Sequence, residues 1–337
     1  MTWVPAHAGR LRPLERCVFV LVFAIMGGFV VAMAFMATTS QGHVLLTGPS
    51  VTPRTVAAGV KRDQPAQETV DHSTVGHKTQ SERATTSLAR AASARTARGA
   101  SAKQLDARLA VELQPVVGDD PGRLAVGVVD LKTGVIASYD ADQLIRGGEV
   151  VTTDILAAML LEHQQAGTAI SAREAQLATL MIKNGSVPAA TQLWGMVGGA
   201  PGLAAANSTL KLRGTVSAPG DWTWTYTTVA DQLQLLADLV EPGSPLHSAA
   251  RDYALGLMTD SAAGQRWGVL AGASAHTAAA VYDGKLVGPA WVVGSIGVIQ
   301  HNGNELLVAV LSDHNPAEAP ALTAVQAAVL KAVGIVG

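Results

Sequence analysis

A single cysteine, Cys17, stands in the 337 residues, which excludes an intrachain disulfide and leaves any folded domain to rest on its apolar core. Charged residues make up only 15% of the chain and aromatics only 4%. These shortages are unevenly spread, and each local absence excludes something different. From Cys17 to Ala37 there is no charged residue, so that stretch cannot be an ordinary solvated surface segment. From Thr38 to Gln104 there is no Phe, Trp or Tyr, so the large side chains that dominate a packed core are missing. From residue 105 onward there are 12 Lys plus Arg against 21 Asp plus Glu, and a nucleic-acid surface is excluded on charge. The chain has no Gly-rich phosphate loop. Its nine histidines follow no metal-ligand spacing: His72 and His77 fall in the aromatic-free stretch, and His163, His247, His276, His301 and His314 are scattered. No metal and no cofactor is expected.

What is present divides the chain into four parts. Residues 1–16 carry Arg10, Arg12 and Arg16 against one acid, Glu15. Residues 17–37 are 21 uncharged residues, and at about 1.5 Å rise per residue such a helix crosses roughly 30 Å of hydrocarbon. The arginines ahead of it place the N-terminus in the cytoplasm, so the sequence predicts a single-pass signal anchor with the rest of the chain outside. Ala32-Met33-Ala34 also fits an A-x-A cleavage site, which would release a secreted protein instead, although the apolar run is longer than the usual secretory core. A lipoprotein anchor does not fit, because Cys17 precedes the apolar run. Residues 38–104 are rich in Thr, Ser, Ala, Gln and Gly, with nine Lys or Arg against four acids, and read as a disordered tether. Its basic residues are either simply solvated or in contact with anionic lipid headgroups or wall polymers.

Residues 105–337 read as the folded extracytoplasmic domain. A helix over 105–113 is followed by RLAVGVVDLKTGVIASYDA, two apolar runs joined by the turn residues 130–134, which is a hairpin. Helices then follow over 151–165, 171–183, 188–197, 201–210, 228–240 and 246–258. Strands return at 290–298 and 305–311 around Asn302-Gly303-Asn304, with a weaker strand at 277–282, and a helix over 319–333 closes the chain. Strands at both ends of a helical middle imply one antiparallel sheet with flanking helices and an inserted all-helical subdomain, an α/β arrangement of the α+β kind.

The stretch EVVTTDILAAMLLEHQQ from Glu149, with LATLMIKNG, LWGMVGG, TTVADQLQLLADL, LHSAARDYALGLM, QRWGV and WVVGSIGVIQHNGNELLVAVLSD, carries a family resemblance. Residues 105–337 resemble the class A β-lactamase and penicillin-binding-protein superfamily, and within it the β-lactamase-like serine hydrolases of actinobacteria. The resemblance implies the same sheet-plus-helices architecture, with an active site in the cleft between the two halves. It also implies four catalytic positions. Aligning Asp154-Ile155-Leu156 with the D-I-L that follows the family's S-x-x-K puts the serine at Glu149 and the lysine at Thr152, both expected at the cleft lip. A carboxylate is a poor substitute for an alkoxide, and Thr152 is no base at neutral pH. The second motif, S-D-N, falls on Gly185-Ser186-Val187, where Ser186 is a hydroxyl displaced by one residue. The third, K-T-G, falls on Tyr282-Asp283-Gly284, where only the glycine remains and the cation is replaced by Asp283. In place of the deacylating glutamate, APGDWTWTY offers only Asp221. Literal matches at Lys132-Thr133-Gly134 and Ser208-Thr209-Leu210-Lys211 stand where relatives carry no catalytic residue.

Trp222, Trp224 and Tyr226 stand in a loop of the type that floors this family's cleft, and serve either as core plugs or as a stacking surface for a sugar or peptide. Two functional readings follow. One is a membrane-anchored, catalytically inactive domain that meets the membrane through residues 17–37 and binds a cell-wall fragment or an envelope protein. The other is an active serine hydrolase, β-lactamase or peptidase-like, with a displaced nucleophile such as Ser186 and Glu149 as its base.

Overall fold

Apolar residues that alternate with period two on a strand, with no polar partner set between them, require a sheet covered on both faces. In the computed structural model the described residues are 99–336, apart from 119–121 and 262–266. The signal anchor expected over 17–37 and the tether up to residue 98 lie outside the described residues. A helix α1 spans 99–117 and so starts ahead of residue 105. The alanine content of residues 99–104 favours this, and Leu109 and Leu113 further along the same helix are fully buried.

Strands β1 (Arg123–Asp130) and β2 (Ile136–Tyr139) form the expected first hairpin, with Asp130 Oδ1 accepting the backbone N–H groups of Lys132 and Thr133 across the turn. A two-residue strand β3 (Ile145–Arg146) leads through a 3-10 turn, Gly148–Val150, into α2 (Val151–Ala166). Every residue of α2 from Val151 through Leu161 is buried, so this helix is enclosed on all sides and not merely laid on a surface. Around it stand α3 (Ala172–Asn184), α4 (Val187–Met196) and α5 (Gly199–Thr209). A short β4 (Tyr226–Thr227) pairs with β3, and α6 (Val229–Val240) and α7 (Ser248–Ser261) complete the helical middle.

The chain then returns to the sheet through β5 (Ala275–Val287), β6 (Ala290–His301) and β7 (Asn304–Asn315), and ends in α8 (Glu318–Val336). The order is β2-β1-β7-β6-β5, all antiparallel, so the first hairpin and the last three strands do form one sheet. Asn302 (φ 48°) and Gly303 (φ 80°) form the two-residue turn between β6 and β7. Strand β5 is much longer than the expected 277–282, because its alanine-rich sequence carries little strand propensity of its own. Pairing with β6 from Ala275 opposite Gln300 to Val287 opposite Ala290 extends it.

The alternation on β7 shows how the layers are divided. Leu306, Val308 and Val310 pack with α1 and α8, whereas Leu307, Ala309 and Leu311 pack with α2 and α6. Helix α8 is by length and composition the one described helix that could cross a membrane. Six of its residues, Ala321, Val325, Ala328, Val329, Ala332 and Val333, are buried against the sheet, while Leu330 on the other side is 48% exposed.

Asp313 and Asp154 are buried with their partners. Asp313 accepts from Arg123 Nε at 2.8 Å and from the backbone N–H of Arg146 at 2.9 Å, which ties β1, β3 and β7 together. Burial pushes its carboxyl up, but those bonds and His314 outweigh it and hold the group below the usual carboxylate range. Asp154, on the first turn of α2, is fully buried and accepts from Gln232 Nε2 at 3.1 Å. Gln232 also donates to Thr227, which is bonded to Thr215, and Thr215 donates to Asp231, so the network joins α2 to α6.

Burial pushes the Asp154 carboxyl from 3.8 up to about 7, against the opposing effect of the Gln232 bond. A carboxyl whose folded value lies above its unfolded one binds its proton more tightly in the fold. Its contribution is therefore fully present below the unfolded value and is lost as pH rises toward the folded value. Asp154→Asn should remove a loss on the order of 2 to 4 kcal/mol between pH 4 and 8. Asp238, pushed to about 6 by burial, leaves a smaller slope of the same sign. Urea unfolding followed by tryptophan fluorescence at several pH values measures this, and equal slopes in parent and variant would refute it.

Candidate active-site cleft

The head of α2 is seated on the sheet by two close approaches. A Cβ on Gly148 (φ 52°) would come 2.9 Å from Val292 Cγ1, and one on Gly294 would come 2.8 Å from Val150 Cγ2. Glycine at both positions lets the turn lie directly on β6. Glu149, held on that turn, is carried to the junction of the helical half and the sheet. Its side chain is 19% exposed, and its Oε1 lies 3.0 Å from the Nζ of Lys285 on β5, itself 30% exposed.

The sequence expectation placed the third motif at Tyr282-Asp283-Gly284 and found its cation replaced by an acid. One residue further on, the Nζ of Lys285 is the cation that faces Glu149. The pairing of β5 with β6 shifts register between Tyr282 and Lys285, and a Cβ on Gly284 would fall 2.8 Å from Glu318 Cγ, on the α8 side of the sheet. A glycine inside a strand marks such an irregularity, and Asp283-Gly284-Lys285 was the signal available in the sequence.

Thr152 was expected at the cleft lip beside Glu149. It is instead 3% exposed, and its hydroxyl donates to the backbone carbonyl of Glu149 at 2.7 Å. A lysine at this position would start from a buried site. The second-motif residues lie at the corner between α3 and α4. Gly185 ends α3 in the left-handed region, Ser186 Oγ caps α4 by accepting the Ala189 N–H at 3.4 Å, and Val187 is the first residue of α4 and packs against the core. Glu149 Oε2 lies 3.6 Å from where a Cβ on Gly185 would stand, so the corner does face the Glu149 carboxylate.

The aromatic trio separates. Trp222 is 1% exposed and donates from Nε1 to Thr191 Oγ1 at 3.1 Å, which makes it a core side chain under α4 and not a stacking surface. Trp224 is 38% exposed and lies against the guanidinium of Arg146, 4.1 Å from the ring centre. Tyr226 accepts from Arg146 Nε at 3.2 Å, and Arg146 Nη1 donates to the carbonyl of Val287 at 3.0 Å. Arg146 thus joins the tryptophan loop to the β5–β6 hairpin, a role that its sequence surroundings did not signal. Asp221 is exposed and its Oδ1 accepts from the N–H and hydroxyl of Thr223, so it caps the short turn that holds the two tryptophans. Among the described residues no group of His, Cys, Asp and Glu could hold a metal ion.

The chain matches no family model and no curated protein. It is similar to solved structures at low identity. A β-lactamase from Xanthomonas campestris pv. campestris superposes with a TM-score of 0.57 at 20% identity, covering 69% of this chain and 99% of that one. PBP-A gives 0.58 at 18% identity, over 67% of this chain and 95% of that one. A variant of the last common ancestor of Gram-negative bacteria class A β-lactamase gives 0.55 at 24% identity, over 67% and 97%. Nearly the whole length of each is matched, and the unmatched third of this chain is the size of the region ahead of α1. The domain therefore has the β-lactamase-like fold shared by class A β-lactamases and PBP-A.

Proposed function

We propose that this chain is a membrane-anchored, extracytoplasmic β-lactamase-like domain that has given up acyl-transfer chemistry and serves a binding or accessory role in the cell envelope. One observation carries the reading: where the fold would present a nucleophile and its base, Glu149 is ion-paired to Lys285 and the Thr152 hydroxyl is bonded to the Glu149 carbonyl. A carboxylate neutralised by an ammonium attacks no acyl carbon, and a threonine takes no proton from a neighbour at neutral pH. Loss of the nucleophile in another serine hydrolase costs on the order of a millionfold in turnover. Here the base position has changed as well.

The competing reading, a hydrolase using Ser186 with Glu149 as base, draws on the nearness of Glu149 to Gly185. Two features weigh against it. Ser186 Oγ is turned to the Ala189 N–H as a helix cap, and the Glu149 carboxylate is already engaged by Lys285. The envelope location rests on the uncharged run 17–37 behind Arg10, Arg12 and Arg16. The ligand is proposed to be a wall fragment or an envelope protein, since the domain's acidic balance argues against nucleic acid.

Incubation with a fluorescent penicillin should give no covalent adduct by intact mass. A single adduct mapped to Ser186 would replace this reading with the competing one. The anchored topology is tested separately by adding protease to intact spheroplasts, which should cut the tether and release a fragment that begins near residue 100. Recovery of a soluble protein whose N-terminus is Phe35 would establish cleavage after Ala34 instead.

A further inference from the structure

We infer that Asn302 is a site of spontaneous covalent modification, where the side-chain amide is lost and the β6–β7 turn is rebuilt around an aspartate or isoaspartate. Of the five asparagines in the chain, two precede a glycine, Asn184 and Asn302. Asparagine is among the thermally labile side chains, and a following glycine offers its backbone nitrogen without the hindrance of a Cβ. The two steps share this chemistry, and the fold separates them. Asn184 is the last residue of α3, and the N–H of Gly185 donates to the carbonyl of Leu180, so that nitrogen is held in the helix end. Asn302 and Gly303 are both exposed at the tip of a two-residue turn closed by the His301–Asn304 pair. Among the described residues the Gly303 N–H has no hydrogen-bond partner, and no atom beyond its chain neighbours lies within 4 Å of where a Cβ would stand. Opening of the tip, which lets the reacting atoms meet, parts only the His301–Asn304 pair, whereas Asn184 reacts only after the end of α3 unwinds.

The Gly303 nitrogen attacks Asn302 Cγ and gives its proton to water as the N–C bond forms. The Cγ–Nδ2 bond then breaks, and the amide nitrogen leaves as ammonia with a proton returned by water. The product is a cyclic succinimide. One water opens it: at the side-chain carbonyl to give aspartate, or at the main-chain carbonyl to give isoaspartate, in which the backbone runs through Cγ. Water is consumed and ammonia released, and nothing is oxidised or reduced. The change reaches beyond the tip through His301. Its Nδ1 lies 2.7 Å from the carbonyl of Gly272, which can only accept, so Nδ1 carries the hydrogen and Nε2 accepts from Asn302 Nδ2 at 3.0 Å. Loss of the amide replaces that donor with an oxygen. Isoaspartate also adds a backbone atom to the turn that sets the register of β6 and β7.

The test incubates the full-length protein in detergent near neutral pH, below its melting transition, beside a second sample unfolded in urea. Peptide mapping by mass follows the exchange of amide for acid at Asn302 and Asn184 over time. In the fold Asn302 should convert about tenfold faster than Asn184, the factor carried by one or two hydrogen bonds at a helix end. In urea the two should convert at similar rates, because glycine follows both. Isoaspartate should accumulate with aspartate at Asn302, and hydroxylamine added during the incubation should trap the ring and cut the chain before Gly303. Equal rates at the two positions in the fold, or no conversion at Asn302, would overturn the assignment. Aspartate without isoaspartate would mean direct hydrolysis of the amide and would overturn the ring step. Asn302→Gln, whose longer side chain closes a ring less readily, should keep its amide over the same period, and an equal loss there would refute the attack by Gly303.

Discussion

The enclosure of α2 is the constraint on which the other elements depend. A helix with buried side chains around its whole circumference for three turns cannot lie at a surface, so helices must stand on its outer sides and the sheet beneath it. The helical middle supplies the first cover and the two ends of the chain supply the second, through strands that meet in one sheet. The entry of α2 is then dictated by contact: Gly148 and Gly294 bring the preceding turn onto β6, and the residue at 149 has only the cleft to face. Position 149 is therefore set by packing, whichever side chain stands there.

Glutamate at that position sets a carboxylate beside the Lys285 ammonium. The carboxylate stands in the turn just ahead of α2, where the partial positive charge of the helix end favours it by a few tenths of a kcal/mol to about 1 kcal/mol. Its bond to Lys285 is partly exposed, and such pairs typically add no more than about 1 kcal/mol. Neither amount holds the domain together beside the burial of two hydrophobic clusters. The consequence of the pair is chemical. It neutralises the Lys285 ammonium against the Glu149 carboxylate across the two halves of the domain.

A second constraint operates below the cleft. Asp154 and Gln232, with Thr227, Thr215 and Asp231, bring polar groups into the layer between α2 and α6. Most of these groups are bonded to one another, as burial demands, but the Oε1 of Gln232 finds no partner among the described residues. The cluster fixes the rotation of α2 about its axis and with it the direction in which Glu149 leaves the turn. Arg146 does the corresponding work on the sheet side, holding the tryptophan loop against the β5–β6 hairpin through its stacking on Trp224 and its bond to Val287.

Much of this was legible in the chain itself. Periodicity and turn residues placed the first hairpin, the eight helices α1 to α8 and the β6–β7 turn, because each depends on a local pattern: alternation, helical spacing or an Asn-Gly pair at positive φ. The expectations at Glu149, Thr152 and Gly185-Ser186-Val187 rested on residue type at positions aligned by the family resemblance. What the sequence could not decide was pairing at a distance. The alanine-rich β5 is a strand because β6 lies beside it, and Lys285, at the end of its register shift, meets Glu149. Trp222 and Trp224 stand two residues apart with the same chemistry, and only the tertiary structure sends one into the core and the other onto Arg146. Burial and the partner across the cleft depend on residues from 31 to 136 positions away, and no local pattern in the chain encodes those distances.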